Sequence, residues 1–280
     1  MRSFSLMNLF DFDLHPSPRV LASDLDGTLI PLPASQENLD DLAILAKGIS
    51  ENQCEIVYAT GRHFESAIHA IEEYCLPEPQ WLVCDVGTSV FCKIEGVFER
   101  FHAYEEHLFE KTGHLDRSVA VPILEAVGEL KPQGPASQGP FKISYFTKAS
   151  RVEILEHEIA AILDESGIPY VCMGSVDPFS GKGLIDLLPK GVSKAYALIW
   201  LSTHADFHPN EMIYAGDSGN DYAAMVAGFR SIAVGNASRD LVAKVRKEMD
   251  EKDASERFYA SEAPGSSGVL EGCRHFGLVT

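Results

Sequence analysis

Two carboxylates stand two positions apart near the start of this 280-residue chain, and their type and spacing suit chemistry. Asp24 and Asp26 follow the apolar run Val20–Ala22 and precede Gly27. Positions i and i+2 of an extended strand point to the same side, so the two acids share one face, and Gly27 permits a sharp turn after them. Neighbouring carboxylates repel one another at neutral pH unless a cation or a shared proton relieves them. The pattern indicates a divalent-metal site, a nucleophile with an acid/base partner, or both.

Other interpretations of this acidic segment fit the same residues less well. An EF-hand calcium loop is excluded, because Gly27 stands two positions too early and position 12 is Ser35 instead of Glu. An ordinary aspartate-rich turn stays open if the segment is considered by itself. Asp11 and Asp13 have the same spacing, but no apolar strand precedes them and no Gly-Thr pair follows.

Three further polar segments lie at the ends of predicted strands. They are Ala59–Arg62, Gly191–Lys194 and Gly216–Asp221. The ligand crevice of an open α/β sheet lies at the carboxyl ends of its strands, so these segments are placed to join the two acids. Each also has an ordinary interpretation: a helix cap for Thr60 or for Asp217–Asp221, and a solvated lysine at a helix start for Lys194. Their joint order and spacing favour one shared site.

The elements that must position these segments alternate between strand and helix in two blocks. Strands are predicted at Val20–Ser23, Glu55–Ala59, Trp81–Asp85, Met212–Ala215 and Ser231–Val234, with helices between them. This alternation predicts a parallel sheet with crossover helices.

The stretch between the two blocks has a different character. Helices are predicted at His107–Thr112, Ser118–Leu130 and Val152–Ser166, a breaker-rich loop at Lys131–Pro140, and strands at Lys142–Phe146, Tyr170–Met173 and Leu184–Leu188. We therefore expect an α/β protein. Its Rossmann-like core with a parallel sheet would occupy 1–106 and 188–280, and an inserted α+β cap domain would occupy 107–187.

The composition is that of a globular but strongly acidic chain, with 45% hydrophobic residues, 23% charged residues and a formal net charge of −18. This charge disfavours nucleic acid and anionic membranes as partners. The chain has no run of ~18 apolar residues that would predict a transmembrane helix, and its start lacks the apolar segment of a signal peptide. An anionic substrate would need local positive charge from a metal ion or from a few placed Lys and Arg residues.

The six cysteines form no Cys-x-x-Cys pair, and their spacing is irregular. Zinc ribbons and thioredoxin-like redox sites are therefore disfavoured, and buried free thiols in a reducing cytoplasm are expected. His204 and His208 are four positions apart, but the Glu of a zinc-protease motif is missing and Pro209 follows. We interpret their spacing as a coincidence on a surface turn.

Taken together, the four motifs resemble the haloacid dehalogenase (HAD) superfamily of phosphohydrolases over nearly the whole chain. The insert between the second and third motifs resembles the C2-type cap. Within that superfamily, several stretches look like the sucrose-phosphate phosphatases. They are Leu130–Gln133, Pro140–Tyr145, Ser180–Lys182 leading to Asp186–Pro189, and Gly216–Asp221.

The resemblance implies a Mg²⁺-dependent phosphoric monoester hydrolase. Asp24 would attack phosphorus and become an aspartyl phosphate, while Asp26 would protonate the leaving oxygen and then take a proton from water. Mg²⁺ would be bound by a carboxylate oxygen of Asp24, the main-chain carbonyl of Asp26, and Asp217. Asp26 also separates reaction classes, because a P-type ATPase-like motif has Lys at that position.

The same resemblance implies how phosphate and sugar are held. Phosphate contacts are expected from Thr60, the Gly61 amide and Lys194. Behind the metal ligands we expect Asn220 and Asp221, with Asp221 orienting Lys194 or metal-bound water. Sugar contacts are expected from Arg62 in the core and from Gln138, Lys142 and Lys182 in the cap. Structural alternatives stay open for two of these, since Lys142 could lie on the outer face of a strand and Gln138 could be an ordinary loop residue.

The expected substrate is a small sugar phosphate, with sucrose 6-phosphate as the first expectation. The alternatives are a phosphatase for another glycosyl phosphate such as mannosylfructose phosphate, a phosphomutase, and a non-catalytic sugar-phosphate-binding domain. The last is disfavoured because degenerate copies usually lose a carboxylate. All four acids, Asp24, Asp26, Asp217 and Asp221, are present in this chain.

Overall fold

The structure is a computed structural model that describes residues 9–14, 17–33, 35–114, 116–125, 127–177, 180–205 and 207–280. The chain divides into two structural units. The first contains the described residues up to Gly87, together with Phe91–Glu99 and Lys194–Thr280. The second contains Thr88–Val90 and Arg100–Ser193, and it encloses the predicted insert at 107–187.

The strands and helices are numbered in chain order. The strands are β1 Val20–Ser23, β2 Glu55–Ala59, β3 Trp81–Cys84, β4 Ser89–Ile94, β5 Val97–Arg100, β6 Lys131–Pro132, β7 Ile143–Thr147, β8 Tyr170–Val176, β9 Gly183–Pro189, β10 Met212–Gly216, β11 Arg230–Ala233 and β12 Phe258–Ala260. The α-helices are α1 Gln36–Glu51, α2 Phe64–Glu73, α3 His102–Lys111, α4 Val121–Leu124, α5 Val152–Glu165, α6 Lys194–Ser202, α7 Tyr222–Met225, α8 Arg239–Glu251 and α9 Gly265–His275.

The first unit is built on a sheet with the strand order β12-β11-β10-β1-β2-β3-β4-β5. Neighbouring strands from β12 to β3 run parallel. Every residue of β1 and of β10 is buried, as expected for parallel strands covered by helices on both faces. The predicted α/β class with a parallel, Rossmann-like core is confirmed.

Two helix starts in the first unit follow directly from the sequence. Ser35 caps α1 by accepting the N–H of Asn38, while the Asn38 side chain accepts the N–H of Ser35, which forms a capping box. Helix α6 begins at Lys194 and is buried at all of its residues, so this lysine enters the interior of the unit. No helix among the described residues is long and apolar enough to cross a membrane.

The second unit contains a four-stranded antiparallel sheet in the order β6-β7-β9-β8. Helix α5 packs on one face of it, and the residues that form this small core are Val152, Leu155, Ile159 and Leu163 from the helix with Ile143, Tyr145, Ile185 and Leu187 from the strands. Because alternate strand residues face opposite sides, Lys142, Ser144 and Asp186 lie on the other face of the sheet.

Two element predictions for the second unit were wrong. The helix expected over Ser118–Leu130 is replaced, in its described part, by a 3₁₀ turn at Arg117–Val119 and the short helix α4. Pro122 lacks an N–H and is tolerated only in a first helical turn, and Glu129 adopts a left-handed φ of 72°. The start of the predicted loop at Lys131–Pro140 is strand β6, which pairs with Tyr145 and Phe146.

Candidate active site

Side chains that follow β1 and β10 come together with the first residue of α6 in the first unit. The Asp24 N–H donates to the Ala215 carbonyl at 2.9 Å, which extends the β1–β10 pairing by one residue and fixes the backbone of this acid. The carboxylates of Asp24, Asp217 and Asp221 each offer an oxygen within 4.8 Å of the others. Three of the predicted site acids therefore form one cluster.

Lys194 is completely buried between two of these carboxylates. Its Nζ lies 2.9 Å from Asp24 Oδ1 and 2.8 Å from Asp221 Oδ1, and it donates to Asn220 Oδ1 at 3.2 Å. Burial by itself would lower the pKa of the Lys194 ammonium, but Asp221 and Asp24 outweigh it and the pKa is raised. The lysine is therefore a fixed cation at working pH.

Asp221 is completely buried and receives donors on both oxygens. Oδ1 accepts the Tyr214 hydroxyl at 2.6 Å in addition to Lys194. Oδ2 accepts the N–H groups of Asp217 and Ser218, each at 3.1 Å, and the Ser218 hydroxyl at 3.2 Å. A carboxylate has about four lone-pair positions, so these donors fill it. The arrangement suits a residue that orients Lys194 and the loop, not a metal ligand.

Asp217 is held on both oxygens by neighbouring loops. Oδ1 accepts the Thr28 hydroxyl at 3.1 Å, and Oδ2 lies 3.4 Å from Asn236 Nδ2. Gly27 has a φ of +80°, and a Cβ at this position would stand 2.5 Å from Asp217 Oδ2. Only glycine fits there, so Gly27 both turns the chain and makes room for this acid.

The electrostatics of the cluster call for a further cation. Burial raises the pKa of Asp24 to about 8, with Lys194 opposing the shift and Asp221 adding to it. Burial, followed by the charge of Asp221, raises the pKa of Asp217 to about 6. Carboxylates that resist ionisation in this way are relieved by a divalent ion with oxygen ligands, and the donor set fits Mg²⁺.

Asp26 forms a different interaction from the rest of the cluster. Its carboxylate is held by the Arg62 guanidinium through two hydrogen bonds of 2.7 Å. Arg62 is anchored in turn by its Nη1, which donates to the Ser66 hydroxyl at 3.1 Å. The hydrogen bond to Asp26 raises the pKa of Arg62. The predicted sugar contact Arg62 thus pairs with the predicted acid/base.

The Thr60–Arg62 loop after β2 is fixed by the neighbouring strand β3. The Thr60 N–H donates to the Val83 carbonyl at 2.8 Å, the Val86 N–H donates to the Thr60 carbonyl at 3.1 Å, and the Asp85 N–H donates to the Arg62 carbonyl at 2.9 Å. Asp85 and Val86 have φ values of 53° and 58°, which is strained for a β-branched residue such as Val86. Strain of this kind is typical of functional loops.

The predicted sugar-binding residues of the second unit lie in different surroundings. The Gln138 side-chain amide pairs with the Ser144 backbone, donating at 2.8 Å and accepting at 3.0 Å. Lys142 is buried with Nζ 3.7 Å from Asp186 Oδ1, an oxygen that also accepts the Ser144 hydroxyl at 2.6 Å. Lys182 is exposed, with Nζ 4.8 Å from the centre of the Phe146 ring. Gln138 therefore braces its loop, which agrees with the structural alternative.

Tyr214 and Asn236 were not predicted from the sequence, whereas Thr28 and Asp186 stand in motifs that the sequence indicated but had no assigned role. Asn236 had a usable signal, because it follows β11 and the rule about the carboxyl ends of parallel strands applies there as well. Its Nδ2 donates to the Gly27 carbonyl at 2.9 Å, and its Oδ1 accepts the Gly265 N–H at 2.9 Å. Tyr214 lies inside a buried strand, where no pattern separates it from a core tyrosine.

Comparison with known proteins decides the family. The sequence model of the family described as Sucrose-6F-phosphate phosphohydrolase matches residues 17–277. The chain belongs to this family. Membership confirms the predicted HAD-type phosphatase and the class of its activity, hydrolysis of a phosphoric monoester. It also agrees with a sugar phosphate as the substrate class.

Individual members and solved structures are similar over nearly the whole chain. A mannosylfructose-phosphate phosphatase of Agrobacterium fabrum is 29% identical, with 93% of this chain and 97% of that protein aligned. A probable sucrose-phosphatase 3a of Arabidopsis thaliana is 27% identical over 94% of this chain, which spans 60% of that protein's length. The crystal structure of the sucrose-phosphatase from Synechocystis sp. PCC6803, in complex with sucrose and phosphate, aligns with a TM-score of 0.74 and 27% identity over 93% of this chain and 98% of that one.

Proposed function

We propose that this chain hydrolyses sucrose 6-phosphate to sucrose and inorganic phosphate, with Mg²⁺ as its cofactor. The observation that carries the proposal is the Asp24–Lys194–Asp221 arrangement beside Asp217, which pairs a buried nucleophile with a fixed cation at one edge of the sheet. The family match over residues 17–277 supports the substrate, as does the similarity to a sucrose-phosphatase that holds sucrose and phosphate.

Asp24 is the proposed nucleophile. Lys194 holds its Oδ1 at 2.9 Å, so Oδ2 is the oxygen that attacks phosphorus and forms the aspartyl phosphate as the sugar oxygen departs. The Lys194 ammonium is already fixed by Asp221, and it therefore stabilises charge on the phosphoryl oxygens without reorganising. Thr60 and the Gly61 amide hold the remaining phosphoryl oxygens in this proposal. Water then attacks the same phosphorus and releases phosphate from Asp24.

Mg²⁺ is assigned to a carboxylate oxygen of Asp24, to Asp217 and to the main-chain carbonyl of Asp26. The carboxylates of Asp24 and Asp217 each offer an oxygen within 4.8 Å of the other, which suits a hard divalent cation. When bound, the ion supplies positive charge to the phosphoryl group and to the nucleophile. Asn220 and Asp221 do not bind the ion in this proposal; both accept hydrogen bonds from Lys194 and hold it in position.

Asp26 is the proposed general acid and base, and its pairing with Arg62 determines when it can exchange a proton. Both Asp26 oxygens are engaged by the guanidinium, so neither is fully available to the leaving sugar oxygen while the pair stays intact. A phosphate dianion is a strong competitor for a guanidinium, because it also accepts paired hydrogen bonds. We infer that phosphate binding shifts Arg62 toward the substrate and frees Asp26 to exchange a proton with the leaving oxygen.

The second unit is the proposed specificity domain, with the insert at 107–187 as the cap. Lys142 and Lys182 remain the proposed sugar contacts there, and Asp186 joins Lys142 as an acceptor for sugar hydroxyls. Gln138 contributes by shaping the loop beside Ser144, since its amide is already engaged. Alanine substitution of Lys142 or Lys182 should therefore raise KM for the disaccharide phosphate more than substitution of Gln138.

We also propose a cytoplasmic location. All six cysteines are unpaired thiols, which is the usual state in a reducing compartment. The expectation that they are buried was correct only for Cys84 and Cys273, and Cys75 is exposed. Fractionation of cells that produce the full chain tests this, with recovery in an oxidising compartment as the contrary result.

The experiment that tests the substrate is phosphate release across a panel at saturating Mg²⁺. The panel contains sucrose 6-phosphate, mannosylfructose phosphate, trehalose 6-phosphate and simple hexose phosphates, and kcat/KM is compared for each. The proposal expects sucrose 6-phosphate to be preferred by at least about tenfold, which corresponds to about 1.4 kcal/mol in transition-state binding. A preference for hexose phosphates would overturn the disaccharide assignment.

Mannosylfructose phosphate is the second candidate substrate. The relative that is a mannosylfructose-phosphate phosphatase is 29% identical and aligned over 97% of its length, which is a more complete match than that to the plant sucrose-phosphatase. Both disaccharides carry a fructosyl group, so the decision rests on recognition of the other sugar. A higher kcat/KM for mannosylfructose phosphate in the panel would select this candidate.

A further inference from the structure

Tyr214 is a completely buried tyrosine of β10 whose hydroxyl has no role in the mechanism above. The hydroxyl donates a 2.6 Å hydrogen bond to Asp221 Oδ1, the oxygen that Lys194 Nζ also approaches at 2.8 Å. Burial, followed by the charges of Asp221 and Asp24, raises the pKa of Tyr214 well above its ordinary value. The hydroxyl is therefore a permanent donor to the carboxylate that holds Lys194.

Two carboxylates compete for Lys194. Nζ lies at almost equal distances from Asp221 Oδ1 and Asp24 Oδ1, 2.8 Å and 2.9 Å. A hydrogen bond from Tyr214 satisfies part of the negative charge on Asp221 Oδ1, and this weakens the attraction of that oxygen for the ammonium. Without the hydroxyl, Lys194 would be the one donor left to that oxygen within the described part of the chain.

We propose that Tyr214 is a positioning residue that, by sharing Asp221 Oδ1, keeps Lys194 directed at Asp24 and at the phosphoryl group. The inference rests on the proposed phosphatase mechanism and adds to it a residue that touches neither substrate nor metal. Its effect is expressed in the transition state, where charge builds next to Lys194, and not in sugar binding. Loss of the hydroxyl should therefore lower kcat and leave KM nearly unchanged.

Tyr214→Phe tests the proposal, because it removes one hydroxyl and preserves the ring that fills the core. The chain offers a matched control in Tyr58, which is also completely buried, lies in β2, and donates a 2.6 Å hydrogen bond, in its case to the Pro77 carbonyl. Tyr58→Phe loses a bond of the same length in the same sheet but away from Lys194. Each variant is assayed with sucrose 6-phosphate and with p-nitrophenyl phosphate, and its thermal midpoint is recorded.

The expected result is a kcat about tenfold lower for Tyr214→Phe with both substrates, equivalent to about 1.4 kcal/mol in the barrier, with KM within about twofold of wild type. Tyr58→Phe should keep the wild-type kcat while losing a similar amount of thermal stability. A wild-type kcat in Tyr214→Phe, or an equal fall in Tyr58→Phe, would overturn the inference. If wild type hydrolyses p-nitrophenyl phosphate but not sucrose 6-phosphate, the substrate proposal fails, while the aryl phosphate still decides the role of Tyr214.

Discussion

Replacing Asp217, the proposed metal ligand, should stabilise this protein when no metal is present. Burial raises the pKa of Asp217 from 3.8 to about 6, which corresponds to about 3 kcal/mol of cost for holding it ionised above pH 6. Asp217→Asn removes that cost. The new amide retains an oxygen for the Thr28 hydroxyl, but its NH₂ group would face the Asn236 donor, and this mismatch costs about 1 kcal/mol. The net expectation is a variant more stable by about 2 kcal/mol at pH 7.5.

The pH dependence has a definite sign. The folded-state pKa of Asp217 lies above the unfolded value, so the folded protein binds more protons and wild type loses stability as pH rises from about 4 through 6. The asparagine does not titrate, so the advantage of the variant should disappear near pH 4.5. The charge of Asp217 contributes to the raised pKa of Asp24, so the neutral asparagine also makes Asp24 easier to ionise, and this acts in the same direction. Lys194 has a raised pKa, and its contribution is constant over this range.

The assay is equilibrium unfolding in urea with a chelator, followed by tryptophan fluorescence. Both tryptophans, Trp81 and Trp200, are buried in the first unit, so the signal reports on the unit that contains Asp217. Saturating Mg²⁺ should reverse the order, because about 100 times Kd stabilises wild type by about 2.7 kcal/mol and the variant has lost a ligand. The reasoning is refuted if Asp217→Asn is less stable than wild type at pH 7.5 without metal, or if its advantage is the same at pH 4.5.

Three other substitutions separate the roles of the cluster. Lys194→Met should lower kcat by about 100- to 1000-fold, because it removes the fixed cation beside the nucleophile; phosphate release measures this. Arg62→Lys keeps the charge but cannot make the paired hydrogen bonds that the guanidinium makes to Asp26 and, in the proposal, transfers to the phosphate dianion, so kcat/KM should fall about 10- to 100-fold in steady-state kinetics. Asn236→Ala should weaken Mg²⁺ binding about tenfold in calorimetry, because this amide holds Asp217 and the neighbouring turn in place.

Each of these three has an outcome that contradicts it. An active Lys194→Met enzyme would mean that the buried cation serves only the fold. An unchanged kcat/KM in Arg62→Lys would mean that Arg62 does not regulate Asp26. For Asn236 the control is Asn38→Ala, which loosens the same start of α9 through Pro264 and Ser267; equal Mg²⁺ affinities for the two variants would reduce Asn236 to a structural residue.

The backbone arrangement of the site could be predicted from the sequence, because it depends on the order of the strands and not on side-chain conformations. Asp24 and Asp217 follow buried apolar runs, and parallel strands bring their carboxyl ends to one sheet edge. The nearness of these two acids therefore follows from periodicity and topology. Lys194 could not be placed in this way, because the strand before it, β9, belongs to the antiparallel sheet of the second unit; the order of the motifs and the family resemblance assigned it to the site.

Side-chain partners could not be predicted in the same way. The pairing of Asp26 with Arg62 depends on rotamers in two loops, and the sequence indicates only that both loops lie at the same edge. Gln138 has the residue type of a sugar ligand, yet its amide satisfies the backbone of Ser144, which a breaker-rich loop needs. The long helix expected before β6 does not form for a local reason. Pro122 is compatible only with a first helical turn, and the left-handed backbone of Glu129 cannot continue a helix.

The central claim is that phosphate passes through Asp24 on its way from a sugar to water. Acid quenching during turnover of sucrose 6-phosphate with a radiolabelled phosphate, followed by peptide mapping, tests it most directly. The account predicts that the label is trapped on the peptide that contains Asp24, that hydroxylamine removes it as expected for an acyl phosphate, and that Asp24→Asn traps none. Label on another residue, or rapid phosphate release by a folded Asp24→Asn variant, would contradict the account.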